Sequence, residues 1–135
     1  MSILRSPNLL RYTLVADAVA SAASAALMIA GAAFLAPLLG LPRDLLFEAG
    51  LSLIPFVALV LYVATRQRPA EGAVWVVIAL NLIWVAASVL LLMSNVVAPT
   101  MLGYAFVAAQ AFAVLMLADL EYFGLRNASA AGLTA

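Results

Sequence analysis

Any chemistry in this chain must come from a few polar side chains set in long apolar runs. Asp17 stands among Leu14, Val15, Ala16 and Ala18, with Ser21 one helical turn further on. Asn81 and Gln110 are amides in similar surroundings, and Glu121 lies between Leu120 and Tyr122. A carboxyl at membrane depth takes up a proton or finds a cation or hydrogen-bond donors. Asp17 therefore admits two uses. One is a proton- or cation-coupled site. The other is a structural carboxylate satisfied by Asn81, Ser21 or Arg66, and a single deep acid with no relay of further acids weighs toward it. Asn81 and Gln110 fit the role of hydrogen-bonding glue between helices.

The residue types that are missing narrow the chemistry further. The chain has no histidine, no cysteine and, with six arginines, no lysine. Haem ligation by histidine or thiolate, thiolate-held iron–sulfur clusters and the usual zinc sites have no ligands. Disulfides, thiol catalysis, a Ser-His-Asp triad and a lysine Schiff base are excluded too. A metal site would have to be all-oxygen, and neither a metal nor a cofactor is expected. No enzymatic constellation emerges, and the zero net charge offers no basic patch for nucleic acid.

The elements that position these residues are four apolar segments. They cover about 12–36, 45–65, 73–93 and 101–123, each long enough as a helix for a ~30 Å hydrocarbon layer. With 68% hydrophobic and 9% charged residues, the chain is far more apolar than soluble domains. The expected fold is all-α: a single domain over 1–135, an up-down-up-down transmembrane bundle whose short links hold sequence neighbours side by side. Pro37, Gly40 and Pro42 end the first segment, and Asp44 is placed to cap the second. Pro55 is expected to kink the second helix.

Helical spacing gives each segment one polar seam. The first carries Thr13, Asp17, Ser21, Ser24 and Met28. The second carries Glu48, Ser52, Pro55, Leu59, Tyr62 and Arg66. The third carries Asn81, Trp84, Ser88 and Asn95, and the fourth Gly103, Gln110, Val114, Leu117 and Glu121. Turning these seams inward predicts a polar cluster of Asp17, Ser21, Tyr62, Arg66, Asn81 and Glu121 near one end, with Arg66 and Glu121 close to the surface. Gln110 falls at mid-depth, and Glu48 at the outer mouth. Trp84 is too deep for an interfacial belt and should pack inside. Alanines at every fourth position (Ala18, Ala22, Ala26, Ala30; Ala105, Ala109, Ala113) suit close packing within the bundle or against a second copy.

Arginine sets the orientation. Arg5, Arg11, Arg66, Arg68 and Arg126 fall on one side and only Arg43 on the other. By the positive-inside rule both termini and the middle link are cytoplasmic. The first segment is too long, and too interrupted by Asp17, for a cleaved signal peptide.

Several phrases resemble a family of small bacterial four-helix membrane proteins with no assigned activity. They are Asp17-Ala18 with Ser21, the run Leu35-Ala36-Pro37-Leu38-Leu39-Gly40-Leu41-Pro42, and Ala49-Gly50-Leu51 with Pro55. Asn81-Leu82-Ile83-Trp84-Val85, Pro99-Thr100-Met101-Leu102-Gly103-Tyr104-Ala105-Phe106, Gln110-Ala111 and Glu121-Tyr122-Phe123-Gly124-Leu125-Arg126 complete the likeness, which covers nearly the whole chain. It implies a multi-pass protein of the cell inner membrane. A looser likeness joins Asp17 to the first-helix carboxylate of small multidrug-resistance antiporters, whose other motifs are missing here. The expected function is a structural or accessory role in the bilayer, beside a larger complex or a second copy. The alternative is a small proton- or cation-coupled transporter using Asp17.

Overall fold

The computed structural model describes residues 8–135, so Arg5 lies outside the described residues. Among these there are five helices and no strand: α1 Leu9–Ala30, α2 Ala32–Leu39, α3 Arg43–Thr65, α4 Glu71–Met93 and α5 Met101–Ala130. Four of them, α1, α3, α4 and α5, are long and apolar enough to cross a membrane.

Boundaries depart from expectation at four places. The first segment is two helices, with a turn at Gly31, although helical bonding continues from Gly31 N to Leu27 O and from Leu35 N to Gly31 O. Pro37 sits inside α2 rather than ending it. The helix stops at Gly40, whose left-handed backbone (φ 67°) gives the usual glycine termination. Asp44 does not cap α3: Pro42 holds the cap position, and Asp44 lies in the first turn, where its charge meets the positive helix end. α3 continues helical through Pro55. α5 runs to Ala130 rather than ending near 123, because Leu125 and Ala128 are core residues packed with Leu10 and Leu14. Gly124 makes that packing possible, since a Cβ there would lie 2.6 Å from the Leu10 Cα.

The packing partners also differ from the simple bundle. α1 packs along α3 on one side and α5 on the other, and α4 packs along α5. α3 and α4 meet little beyond their connecting link, and the backbones of α1 and α4 stay apart. The short link does not force contact along the helices. It fixes only one end, and α3 and α4 are free to diverge from it.

α3 turns its expected seam away from the tightly packed core: Ser52, Pro55 and Leu59 line an open cleft between the helices, and Glu48, Tyr62 and Arg66 are exposed. Leu46, Gly50, Leu53, Val60, Val63 and Ala64 are buried, whereas Glu48, Ser52, Pro55, Tyr62 and Arg66 are exposed. Polar side chains of this seam find partners on their own helix. Ser52 Oγ donates to Ala49 O at 2.7 Å, and Arg66 lies 4.5 Å over the Tyr62 ring. Apolar α3 side chains meanwhile fill the core against α1. Of the alanine rows, Ala18 alone is buried. Ala22, Ala26, Ala30, Ala105 and Ala109 face outward, and Ala113 lines the cleft between the helices.

Each end is tied by polar contacts. At the end bearing most arginines, Arg11 donates to Ala64 O at 2.7 Å and Arg66 O at 2.8 Å, closing the unsatisfied carbonyls of α3. The chain's last residues fold onto the α3–α4 link. Ala135 N donates to Pro69 O, Thr134 Oγ1 to Glu71 Oε1, and Arg68 to Gly132 O. At the other end Thr100 caps α5 by accepting from Gly103 N, and donates through its hydroxyl to Leu38 O and through its N–H to Leu39 O.

Candidate functional site

Three helices place polar side chains at one point. Asp17 (α1), Asn81 (α4) and Glu121 (α5) lie eight, ten and nine residues from the arginine-bearing ends of their helices, roughly 12–15 Å along each axis. They are 1%, 4% and 0% exposed. Asn81 Nδ2 donates one hydrogen to Asp17 Oδ2 and the other to Glu121 Oε1, both at 2.8 Å. Ser21 Oγ donates to Asp17 Oδ1 at 3.2 Å. The one Asn81 amide thus holds both carboxyls beside it. One atom is left over: Glu121 Oε2 is buried with no donor.

Two expectations about this cluster need correction. Glu121 is not near a solvated surface, because α5 continues past it and buries it completely. Asp17 is therefore not the single deep acid. Tyr62 and Arg66 are not in the cluster, since the rotation of α3 turns both outward. Among the described residues no arginine reaches either carboxyl: Arg11 and Arg68 bond backbone oxygens, and Arg66 sits on its own helix's tyrosine. Glu48 is exposed near the start of α3, remote in sequence from the cluster's end of that helix.

Gln110 belongs to a second network, on the α4–α5 seam. Its Oε1 accepts from Trp84 Nε1 at 2.6 Å, and its Nε2 donates to Ser88 Oγ and Val107 O, each at 3.0 Å. Ser88 Oγ donates in turn to Trp84 O. Every member has partners, as expected of interhelical glue.

The divergence of α3 and α4 opens a cleft of about 770 Å³. Its walls are apolar, with Leu53, Phe56, Ile83 and Leu91 among them, and its polar patches are Ser21, Ser24, Ser52, Asn81, Ser88 and Gln110. Ser21 and Asn81 thus have two sides. They line the cleft, and they donate to the carboxyls behind it. No spacing rule announces this cleft, because it arises from how the helices diverge and not from which face they present.

Comparison with known protein families, curated proteins and solved structures finds no match.

The site's own geometry therefore carries the functional argument. Two carboxyls, one amide and one hydroxyl form an all-oxygen acceptor set with two amide hydrogens. Among the described residues no three acidic side chains converge, which is thin for calcium or magnesium with their six or more oxygen ligands. Both carboxyls share the Asn81 amide, and among the described residues no arginine stands beside them. Glu121 Oε2, buried without a donor, is the atom of the group that can take up a further proton or ligand.

Proposed function

We propose that the chain is a four-span, up-down-up-down protein of a bacterial inner membrane, with both termini cytoplasmic, that couples an exchangeable proton to the α3–α4 cleft. Its place is among the small four-helix membrane proteins it resembles, and the role is that of a small proton- or cation-coupled transporter. The observation that carries the reading is the buried Asp17–Asn81–Glu121 group with its one unpartnered oxygen, separated from a ligand-sized cleft by Ser21 and Asn81. A volume in the range of ~300–1,000 Å³ suits a small apolar molecule. A cation arriving there would replace a proton held by the carboxyl pair, that proton leaving to the aqueous phase, and the Ser21 and Asn81 oxygens would be free to face the cation. The reading assigns no enzymatic chemistry, cofactor or nucleic-acid partner.

A second reading, the structural or accessory one, is favoured by the open seam itself. α3 and α4 leave apolar faces uncovered toward each other, and a helix of a larger complex or a second copy could fill the gap.

One experiment separates the two. Asp17→Asn and Glu121→Gln are isosteric and can keep the hydrogen bonds, so both variants are expected to fold normally. In proteoliposomes they should abolish dissipation of an imposed pH gradient by a lipophilic cation such as tetraphenylphosphonium. In infrared spectra Glu121→Gln should also remove a protonated-carboxyl band. Flux unchanged in both variants, together with a stoichiometric partner in mild detergent, would establish the accessory role instead.

A further inference from the structure

A second pocket lies between the first turn of α4 and the last turns of α5, outside the carboxyl site. It holds about 410 Å³ and is lined by Glu71, Trp75, Tyr122, Leu125, Arg126 and Ser129. The geometry points to a binding site for the headgroup of one zwitterionic phospholipid, a phosphodiester that carries an ammonium group. The inference rests on the spans lying in a bilayer and is independent of the proton reading.

The argument begins with charge. One small pocket offers a carboxylate and a guanidinium, so a ligand of a single sign leaves one of them unmatched. Arg126 is exposed and has no hydrogen bond or ion pair among the described residues. Its planar fork suits a phosphodiester. Glu71 is held in place by Thr134 Oγ1 at 2.9 Å and by Ser129. The Trp75 and Tyr122 rings, 5.7 Å apart and tilted by 57°, stand next to it with half-exposed faces. Two aromatic faces and a carboxylate are the elements that attract an ammonium group.

Depth agrees with this occupant. Trp75 is one turn inward from Glu71, and Tyr122 one turn inward from Arg126, so the aromatics lie ~6 Å nearer the hydrocarbon than the charges. That is the level at which a headgroup meets its acyl chains. Leu125 closes the floor.

The test is native mass spectrometry of the full chain from vesicles holding equal phosphatidylethanolamine and phosphatidylglycerol. The wild type should retain the ethanolamine lipid about threefold over the glycerol lipid, the order expected of a partly exposed ammonium–aromatic contact. Glu71→Gln should remove the preference while lipid is still bound. Arg126→Gln should weaken retention of both lipids about threefold or more. Soluble phosphoethanolamine at equal concentration should displace neither. Equal retention of the two lipids by the wild type, the wild-type pattern persisting in both variants, or displacement by the soluble headgroup would each overturn the assignment. The first two would mean an ordinary aromatic belt, and the third a site for a soluble phosphoamine.

Discussion

Asn81 is the side chain on which the buried carboxyls depend, because both hydrogens of its amide are spent on them. Asn81→Ala would leave Asp17 with only Ser21 and Glu121 with no donor from α4. Stripping donors from buried acceptors costs about 1–3 kcal/mol, so the variant should unfold at lower denaturant or temperature in detergent. Asn81→Asp should be worse, since a third acid would replace the only amide. A thermal-shift series over these variants checks the order. Helical arithmetic on the sequence correctly turned Asp17, Asn81 and Glu121 toward the interior, because 3.6-residue spacing decides which side chains share a face. It could not say that two carboxyls would meet. That depends on which helices are neighbours, and the solvated setting assumed for Glu121 followed from ending the last helix at 123. Tyr62 and Arg66 were misplaced for a related reason: a polar seam was assumed to seek the interior, whereas these two side chains satisfy each other outside it.

Among the elements, α3 shows most clearly how an end can matter more than a face. Its last carbonyls are closed by Arg11, a residue whose position in the sequence reads as a topology signal. A guanidinium at a helix C-terminus adds favourable charge to the hydrogen bonds it makes. Arg11→Gln keeps a donor but loses the charge and one arm of the fork. It should destabilise the last turn of α3 by about 1–2 kcal/mol, detected as faster amide exchange in residues 62–66 and faster proteolysis of the 66–70 link. The four long elements were visible in the sequence because continuous apolar runs of this length have few other solutions. The α1–α2 turn at Gly31 and the extension of α5 were not, since both are decided by tertiary contacts such as that of Gly124 with Leu10.

At the scale of the whole molecule, the helices form two pairs, α1 with α3 and α4 with α5, joined along α1 and α5. At the link end the polar ties respect the same division, while Thr100 and Asn81 tie the two pairs together. Arg11 reaches Gln67 O within the first pair, while Arg68 reaches Gly132 and Thr134 reaches Glu71 within the second. The peptide bond between Gln67 and Arg68 is therefore a natural place to divide the polypeptide. Fragments 1–67 and 68–135, expressed together, should find each other in the bilayer and purify as a complex, whereas either alone should be degraded. Asp17 would come from one fragment, and Asn81 and Glu121 from the other, so complementation in trans would also rebuild the carboxyl pair from two separate genes.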